Sequence, residues 1–207
     1  MIAIIDCGDE VAASPLQAAF AQIGADARPA RCLHDLARAS HLIIPDGPSF
    51  ARMVRHVRDR GFVAPILKTI DQGRPVLGIA RGMHLLFDVS YEEGRHTGLG
   101  ALRGKVVGFD AADSALTAAA AAPHRGCADV RFMTRCPLFA ALPTVASFCF
   151  DHAFYAEPLD DRFVAARCRH DPEFAAAVWR GPVIGVEFLP ERSGDAGLRV
   201  LENFARQ

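Results

Sequence analysis

The chain has 207 residues, 51% of them hydrophobic and 23% charged, which is the composition of a globular protein and excludes a disordered one. A chain of this length can bury about 70% of its extended surface and so form one sizeable core. The formal net charge of −1 gives no global field favouring nucleic acid or an anionic membrane, and no apolar run approaches the ~18 residues of a membrane span.

The N-terminal residues, Met1 to Asp6, do not have the pattern of a secretory signal. They carry no basic flank, and the apolar stretch meets an acidic residue at Asp6. We therefore expect a cytoplasmic protein whose first residues already belong to a strand.

The first ninety residues alternate between short apolar runs and segments of helical spacing. We predict strands at Ile2 to Ile5, His41 to Ile44 and Pro75 to Ile79, and helices at Ser14 to Ile23, Phe50 to Asp71 and Arg81 to Asp88. Ser14 and Gln17 form a capping box at the start of the first helix, and Gly61 or Pro65 is expected to break the second. This alternation predicts parallel strands with helical crossovers.

The second half carries short strand candidates separated by turns. They are Lys105 to Phe109, Ser147 to Phe150, Phe163 to Arg167, Glu173 to Trp179 and Val183 to Phe188. An amphipathic helix is predicted at Asp195 to Ala205, and the alanine-rich stretch Asp110 to Ala122 fits a short helix or a mobile loop. Since no linker divides the chain, we expect one α/β domain over residues 1–207, a mostly parallel sheet flanked by helices, with antiparallel strands in the second half.

Six cysteines occur, at positions 7, 32, 127, 136, 149 and 168. None forms a Cys-x-x-Cys pair, and no histidine lies at zinc-finger spacing to them. We therefore expect no metal or other cofactor and no disulfide framework, with the thiols acting as small buried apolar groups. The group Arg52, Arg55, Arg58 and Arg60 is interpreted as a solvated helix face rather than a phosphate-binding patch.

The most informative segment runs from Val76 to His84, where an apolar strand leads through Gly78-x-Ala80-x-Gly82 into a helix. Small residues flanking one position at a strand-to-helix turn are typical of a nucleophile elbow. A side chain there sits at a helix N-terminus, among backbone N–H groups that can hold an oxyanion. Here the central residue is alanine, which has no nucleophile, and a tight structural turn explains the spacing equally well.

A series of motifs then matches one family in order along the chain. They include Ile4-Ile5-Asp6-Cys7-Gly8, Leu42-Ile43-Ile44-Pro45, Pro123-His124-Arg125-Gly126, Phe154-Tyr155-Ala156-Glu157-Pro158 and the stretch Gly185 to Gly194. With them the sequence resembles the glutaminase subunit of imidazole glycerol phosphate synthase, a class I glutamine amidotransferase of histidine biosynthesis. The resemblance implies that family's fold, and a (β/α)₈ barrel cyclase as partner.

The chain departs from the family at its chemical positions. The resemblance places the nucleophilic cysteine at Ala80 and the general base histidine at Leu189, while the third triad member survives as Glu191. Arg81 follows the nucleophile position, and His84 replaces the glutamine that closes the motif. Since alanine cannot attack and leucine cannot relay a proton, we expect no glutaminase activity by the family mechanism, and we interpret Glu191 as a surviving polar residue with a structural partner.

The oxyanion turn is altered as well. The family's Pro-Gly-Val-Gly reads Pro45-Asp46-Gly47-Pro48, so Asp46 brings negative charge to the place where an oxyanion would form. Pro48 has no N–H to donate.

Three hypotheses follow for the present role. The first is a silent subunit that docks on a cyclase-like barrel as a scaffold or regulator. The second is an enzyme of altered chemistry in the same crevice, using Cys7, His84 or His152. The third is a binding module for a small anion, with a pocket remodelled at Asp46, Gly47, Arg81, His84 and His152.

Overall fold

A computed structural model describes residues 1–8, 13–109 and 123–207. The strands are β1 (Ile2–Ile5), β2 (Ala27–Ala30), β3 (His41–Ile44), β4 (Val76–Ile79), β5 (Phe87–Ser90), β6 (His96–Thr97), β7 (Leu102–Gly108), β8 (His124–Phe132), β9 (Val145–His152), β10 (Phe154–Pro158), β11 (Val164–Cys168), β12 (Phe174–Arg180) and β13 (Val183–Val186). The α-helices are α1 (Ala13–Gln22), α2 (Leu33–Arg38), α3 (Phe50–Asp59), α4 (Val63–Asp71), α5 (Arg81–Leu85) and α6 (Gly194–Ala205).

Nine strands form the central sheet, in the order β2-β1-β3-β4-β13-β12-β11-β8-β9. The first five of these run parallel, and β12, β11, β8 and β9 continue the sheet in antiparallel fashion. The predicted parallel first half and antiparallel second half are therefore confirmed. A smaller sheet, β10-β7-β5-β6, accompanies the central one.

Alternate residues of the parallel strands face two separate hydrophobic clusters. Ile2 and Ile4 pack with residues of α1 and α6 on one side of the sheet. Ala3 and Ile5 pack with residues of α2, α3 and α4 on the other. Both faces of these strands are thus covered, which explains why each reads in the sequence as a continuous apolar run.

The helix predicted over Phe50 to Asp71 is broken at Gly61, whose φ of 69° is in the left-handed region. Helix α3 ends at Asp59 and α4 begins at Val63, so Pro65 lies within the first turn of α4. The four arginines of α3 and its end, at positions 52, 55, 58 and 60, are exposed, as expected of a solvated face.

Other boundaries were predicted wrongly. The helix after β4 ends at Leu85 rather than Asp88, because Phe87 already pairs with Leu102 in the smaller sheet. Helix α1 begins at Ala13, so Ser14 lies inside its first turn. Elements β2, α2, β5, β6, β8 and β10 were not predicted. The stretch Asp110 to Ala122 lies outside the described residues.

The cysteines depart from the expectation of buried free thiols at three of the six positions. Cys127 and Cys149 lie directly opposite each other on β8 and β9 and form a disulfide. Cys7, Cys136 and Cys168 are buried free thiols, whereas Cys32 is exposed. In the described part of the chain, no helix is both long and apolar enough to cross a membrane.

Candidate active site

Three neighbouring parallel strands bring the predicted site residues to one edge of the sheet. Strand β4 lies between β3 and β13 and runs parallel to both. Asp46 and Gly47 follow β3, Ala80 and Arg81 follow β4, and Leu189 follows β13. Since the carboxyl ends of parallel strands carry the sites of α/β proteins, this edge is the candidate active site.

Ala80 keeps the backbone geometry of a nucleophile elbow. Its φ of 48° and ψ of −116° are unusual for a residue with a Cβ. Its N–H donates to the Val186 carbonyl at 2.8 Å, and its own carbonyl accepts from the Met83 and His84 N–H groups at 2.9 and 3.1 Å. A Cβ at Gly82 would lie 2.0 Å from the Ile44 carbonyl oxygen, so the turn requires glycine there. The strained turn is retained, but it presents a methyl group.

The backbone N–H of Arg81, the residue after Ala80, already has a hydrogen-bond partner within the protein. Arg81 donates this backbone N–H to Asp46 Oδ1 at 3.3 Å, and in elbow-type hydrolases the equivalent N–H holds the oxyanion. The guanidinium of Arg81 adds bonds from Nη1 to Asp46 Oδ1 at 3.2 Å and to the Gly47 carbonyl at 3.1 Å. A carboxylate of the protein therefore lies where a reacting oxyanion would be held.

Glu92 completes what we call the crevice ion cluster, Asp46, Arg81 and Glu92. Arg81 Nε donates to Glu92 Oε1 at 3.1 Å, and the backbone N–H of Glu92 donates to Ser90 Oγ at 3.1 Å. Burial lowers the pKa of Arg81, but the charges of Asp46 and Glu92 outweigh burial and raise it. With two carboxylate partners, the guanidinium is an internal counter-ion rather than a free cation for an external anion.

The remaining triad positions do not form a catalytic pair. Leu189 is buried and donates its N–H to the Cys149 carbonyl at 2.9 Å. Burial and the charge of Asp46 raise the pKa of Glu191, although its own backbone and Arg192 oppose this. Within the described residues its Oε2 atom is buried with no hydrogen-bond partner. Glu191 thus persists as a carboxyl group with no base to orient, and in this part of the chain its Oε2 lacks the structural partner expected for this residue.

His84 and His152 lie together, but in a separate group that we call the buried imidazole cluster: His84, Glu187 and His152. His84 Nε2 lies 2.8 and 3.0 Å from the two carboxylate oxygens of Glu187, and His152 Nδ1 lies 3.3 Å from Oε1. Burial raises the pKa of Glu187, yet the two imidazoles outweigh it and the pKa lies well below its ordinary value. For His84, burial lowers the pKa and Glu187 more than reverses the change.

The model of the class-I glutamine amidotransferase family matches residues 3–207. The chain belongs to this family. Two relatives are imidazole glycerol phosphate synthase subunits HisH. The one from Syntrophotalea carbinolica is 37% identical over 204 residues, covering 99% of this chain and 98% of the relative. The one from Geobacter sulfurreducens is 34% identical over 203 residues, covering 98% and 97%. The chain is thus a HisH homologue, as the sequence motifs indicated.

Solved structures agree with the amidotransferase fold. The structure of PurLQS from Thermotoga maritima superposes with a TM-score of 0.75 at 18% identity, covering 99% of this chain and 97% of that one. A crystal structure of a glutamine amidotransferase gives a TM-score of 0.72 at 19% identity, with 98% of each chain covered. At these identities the likeness concerns the fold alone.

Two members of the charged clusters, Glu187 and Glu92, were missed in the sequence. Glu187 is a single acidic residue in an otherwise buried apolar run, and that isolation was its only local signal. Glu92 carries no local signal, because its partner Arg81 comes from the elbow helix. His124 joins the edge of the buried imidazole cluster, with its Nδ1 3.0 Å from His152 Nε2.

Cys7 lies after β1 and is buried. Burial, together with the charges of Asp6 and Asp46, raises the pKa of its thiol. A reactive thiolate needs the opposite shift. Among the described residues no group of three or more His, Cys, Asp or Glu side chains has the arrangement of a metal site.

Proposed function

We propose that this HisH homologue lacks glutaminase activity and serves as the non-catalytic partner of a cyclase-like (β/α)₈ barrel. The observation that carries the loss of activity is the Asp46 carboxylate on the Arg81 N–H, next to the methyl group of Ala80. Glutamine hydrolysis through a thioester needs a thiolate, a proton-relaying base and free donors for the oxyanion.

Each of these requirements fails at a different residue. Ala80 offers no atom to attack a carboxamide carbon, and Leu189 has no side-chain group that can accept and donate a proton. The Asp46 oxygen takes the N–H that an oxyanion would need, and its negative charge repels one. Loss of a triad nucleophile or base alone costs on the order of 10⁶ in rate, so the combined changes leave no route through the family mechanism.

Support for a partner role comes from the fold and the elbow turn, which are kept although the catalytic residues are not. The match to HisH relatives extends over 99% of the chain, and both faces of the parallel sheet remain packed. The elbow turn persists with its strained φ although it holds no nucleophile. A chain kept for its shape while its chemical positions change is expected of a subunit whose remaining task is to bind another.

The activity is tested by glutamate release from glutamine, with the chain alone and mixed with a cyclase-type barrel from the same source. We expect no release above a protein-free control in either mixture. Release that saturates with glutamine and scales with the chain would overturn the loss of activity.

Association is tested by pull-down of the tagged chain from its native cytosol, followed by mass spectrometry. A cyclase-like barrel recovered in a stoichiometric amount is expected, and the complex should use free ammonia but not glutamine. If this chain, fully folded, recovers no such barrel, the partner role is wrong, whatever the glutamate assay gives.

A further inference from the structure

The cystine on the outer face of β8 and β9 lies in a ladder of cross-strand pairs. Cys127 stands opposite Cys149, with their Cα atoms 4.0 Å apart, between the pairs Arg125–Asp151 and Asp129–Ser147. Arg125 Nε donates to Asp151 Oδ1 at 2.9 Å in the flanking pair. Cys127 is exposed and Cys149 is half-buried, whereas the neighbouring Phe148 and Phe150 point into the core. The sulfur atoms are therefore on the solvent side of the sheet.

The two strands do not depend on this bond for their pairing. Their register is continuous from His124 opposite His152 to Arg131 opposite Val145. Phe148 and Phe150 also anchor β9 in the hydrophobic core. A covalent bond between strands that are already paired and packed can open without loss of the fold, and exposed cystines are the ones accessible to thiol exchange.

The backbone N–H and carbonyl of Cys149 are both hydrogen-bonded to the turn that carries Leu189 and Glu191. Its N–H donates to Ser193 Oγ at 3.0 Å, and its carbonyl accepts the Leu189 N–H at 2.9 Å. Ser193 Oγ in turn donates to the Leu189 carbonyl at 2.7 Å. Three hydrogen bonds thus connect β9 at Cys149 with this turn.

We propose that Cys127 and Cys149 form a reversible dithiol–disulfide site that exchanges with dithiol reductants and, when oxidised, ties β9 to β8 and so restricts the Leu189–Ser193 turn that is hydrogen-bonded to Cys149. In the reduction, a thiolate of the dithiol attacks the exposed Cys127 sulfur, and Cys149 leaves as a thiolate that takes a proton. The second thiol of the reductant then displaces Cys127. Two electrons and two protons pass to the protein, and the reductant becomes a disulfide.

Thiol counting on the whole chain tests the site. After equilibration with oxidised glutathione, alkylation in denaturant followed by mass spectrometry should find Cys127 and Cys149 linked to each other in a monomer, with any glutathione adduct confined to the exposed Cys32. Native treatment with dithiothreitol, or with a thioredoxin-type dithiol protein, should restore all six thiols. Unlinked Cys127 and Cys149 before reduction, or a bond that opens only in denaturant, would overturn the proposal.

Variants separate this pair from the other exposed cysteine. C127S and C149S should each abolish the oxidant-dependent change, while C32S should leave it intact, because Cys32 is the exposed thiol outside the pair. Oxidation should raise the melting temperature of the wild type by roughly 5 °C or more, and that of C127S not at all.

Hydrogen exchange tests the restriction of the turn. The amide of Leu189, which is bonded to Cys149, should exchange several-fold faster in the reduced wild type than in the oxidised one, and at one unchanging rate in C127S. Equal exchange in both redox states of the wild type would show that the bond does not act on the turn.

Discussion

The short helix α5 supplies one residue to each of two charged clusters that differ mainly in their contact with water. Arg81 opens the helix in the crevice ion cluster, where its side chain is 26% exposed and that of Asp46 is 28% exposed. His84, one turn later, belongs to the buried imidazole cluster, where it is 2% exposed and Glu187 is fully buried. Partly exposed ion pairs contribute little to stability, whereas breaking a buried pair is costly. The crevice ion cluster therefore matters because Asp46 occupies the Arg81 N–H, and the buried imidazole cluster because it stabilises the fold.

The largest effect is expected from clearing the crevice while restoring the chemistry. The double variant A80C/L189H should remain close to background in glutamate release, because Asp46 still holds the Arg81 N–H. Adding D46G should raise the rate by roughly 10²–10³-fold, the usual worth of one oxyanion donor. Steady-state release from glutamine, with a cyclase-type barrel added, measures both.

The control for this series is D46G alone, which should stay inactive because it has neither thiol nor base. If the double variant already equals the triple variant, Asp46 does not obstruct the site. If the triple variant is folded and silent, the block lies elsewhere, with Arg81 and Pro48 the next positions to change.

Breaking the buried cluster should cost the most stability. Glu187→Ala removes the carboxylate between His84 and His152, and we expect a loss of about 3 kcal/mol in the free energy of unfolding. Glu187→Gln keeps a hydrogen-bonding oxygen of the same size and should lose less. Urea denaturation of both variants at fixed ionic strength measures the difference, and a loss below 1 kcal/mol for the alanine variant would contradict a stabilising role.

Breaking the partly exposed Asp46–Arg81 pair of the crevice ion cluster should cost less. Asp46→Asn keeps an acceptor for the Arg81 N–H but removes the charge, so we expect a loss of about 1 kcal/mol or less, smaller still in high salt. The same denaturation measurement applies. A loss as large as that of Glu187→Ala would mean that the two clusters do not differ in the way their exposure suggests.

The sequence predicted those parts of the fold that depend on local patterns. Strands β1, β3 and β4 have continuous apolar runs, and α6 has a regular apolar stripe, so they were found within a residue or two. Strand β8 is mostly exposed, and its polar residues give no strand signal without the neighbouring strands. The family motifs identified positions 80 and 189, but not what surrounds them.

Contacts between distant residues could not be predicted. The bond between Asp46 and Arg81 spans 35 residues, and that between His84 and Glu187 spans 103. The small-anion hypothesis placed Arg81 in the remodelled pocket without its bond to Glu92, because β5, which leads to Glu92, was not predicted. The cystine was missed because the opposition of Cys127 and Cys149 depends on the register of two strands.

His84 and His124 lie at opposite ends of the run His84–Glu187–His152–His124. Their contributions to the stability should change in opposite directions as the pH rises. The pKa of His84 is raised in the folded protein, since Glu187, with help from Glu92, outweighs burial and Arg81. Its contribution to stability is thus fully present below the unfolded value of about 6.5 and is lost as pH rises through the folded pKa. Burial, His152 and His170 lower the pKa of His124 to about 4. Its contribution is present above about 6.5 and is lost as pH falls towards 4.

Unfolding free energies of H84Q and H124Q between pH 5 and 9 separate the two effects, with H34Q as the control for removing an exposed imidazole. The deficit of H84Q relative to wild type should shrink as pH rises, because the lost bond was charge-assisted only while His84 was protonated. H124Q should instead gain on the wild type as pH falls from about 6.5 to 5, since it no longer holds a neutral imidazole that protonates on unfolding. Parallel pH curves for the two variants would show that folding does not shift the pKa values of His84 and His124 in opposite directions. They would also show that the Glu187 carboxylate is not the charge that distinguishes the two histidines.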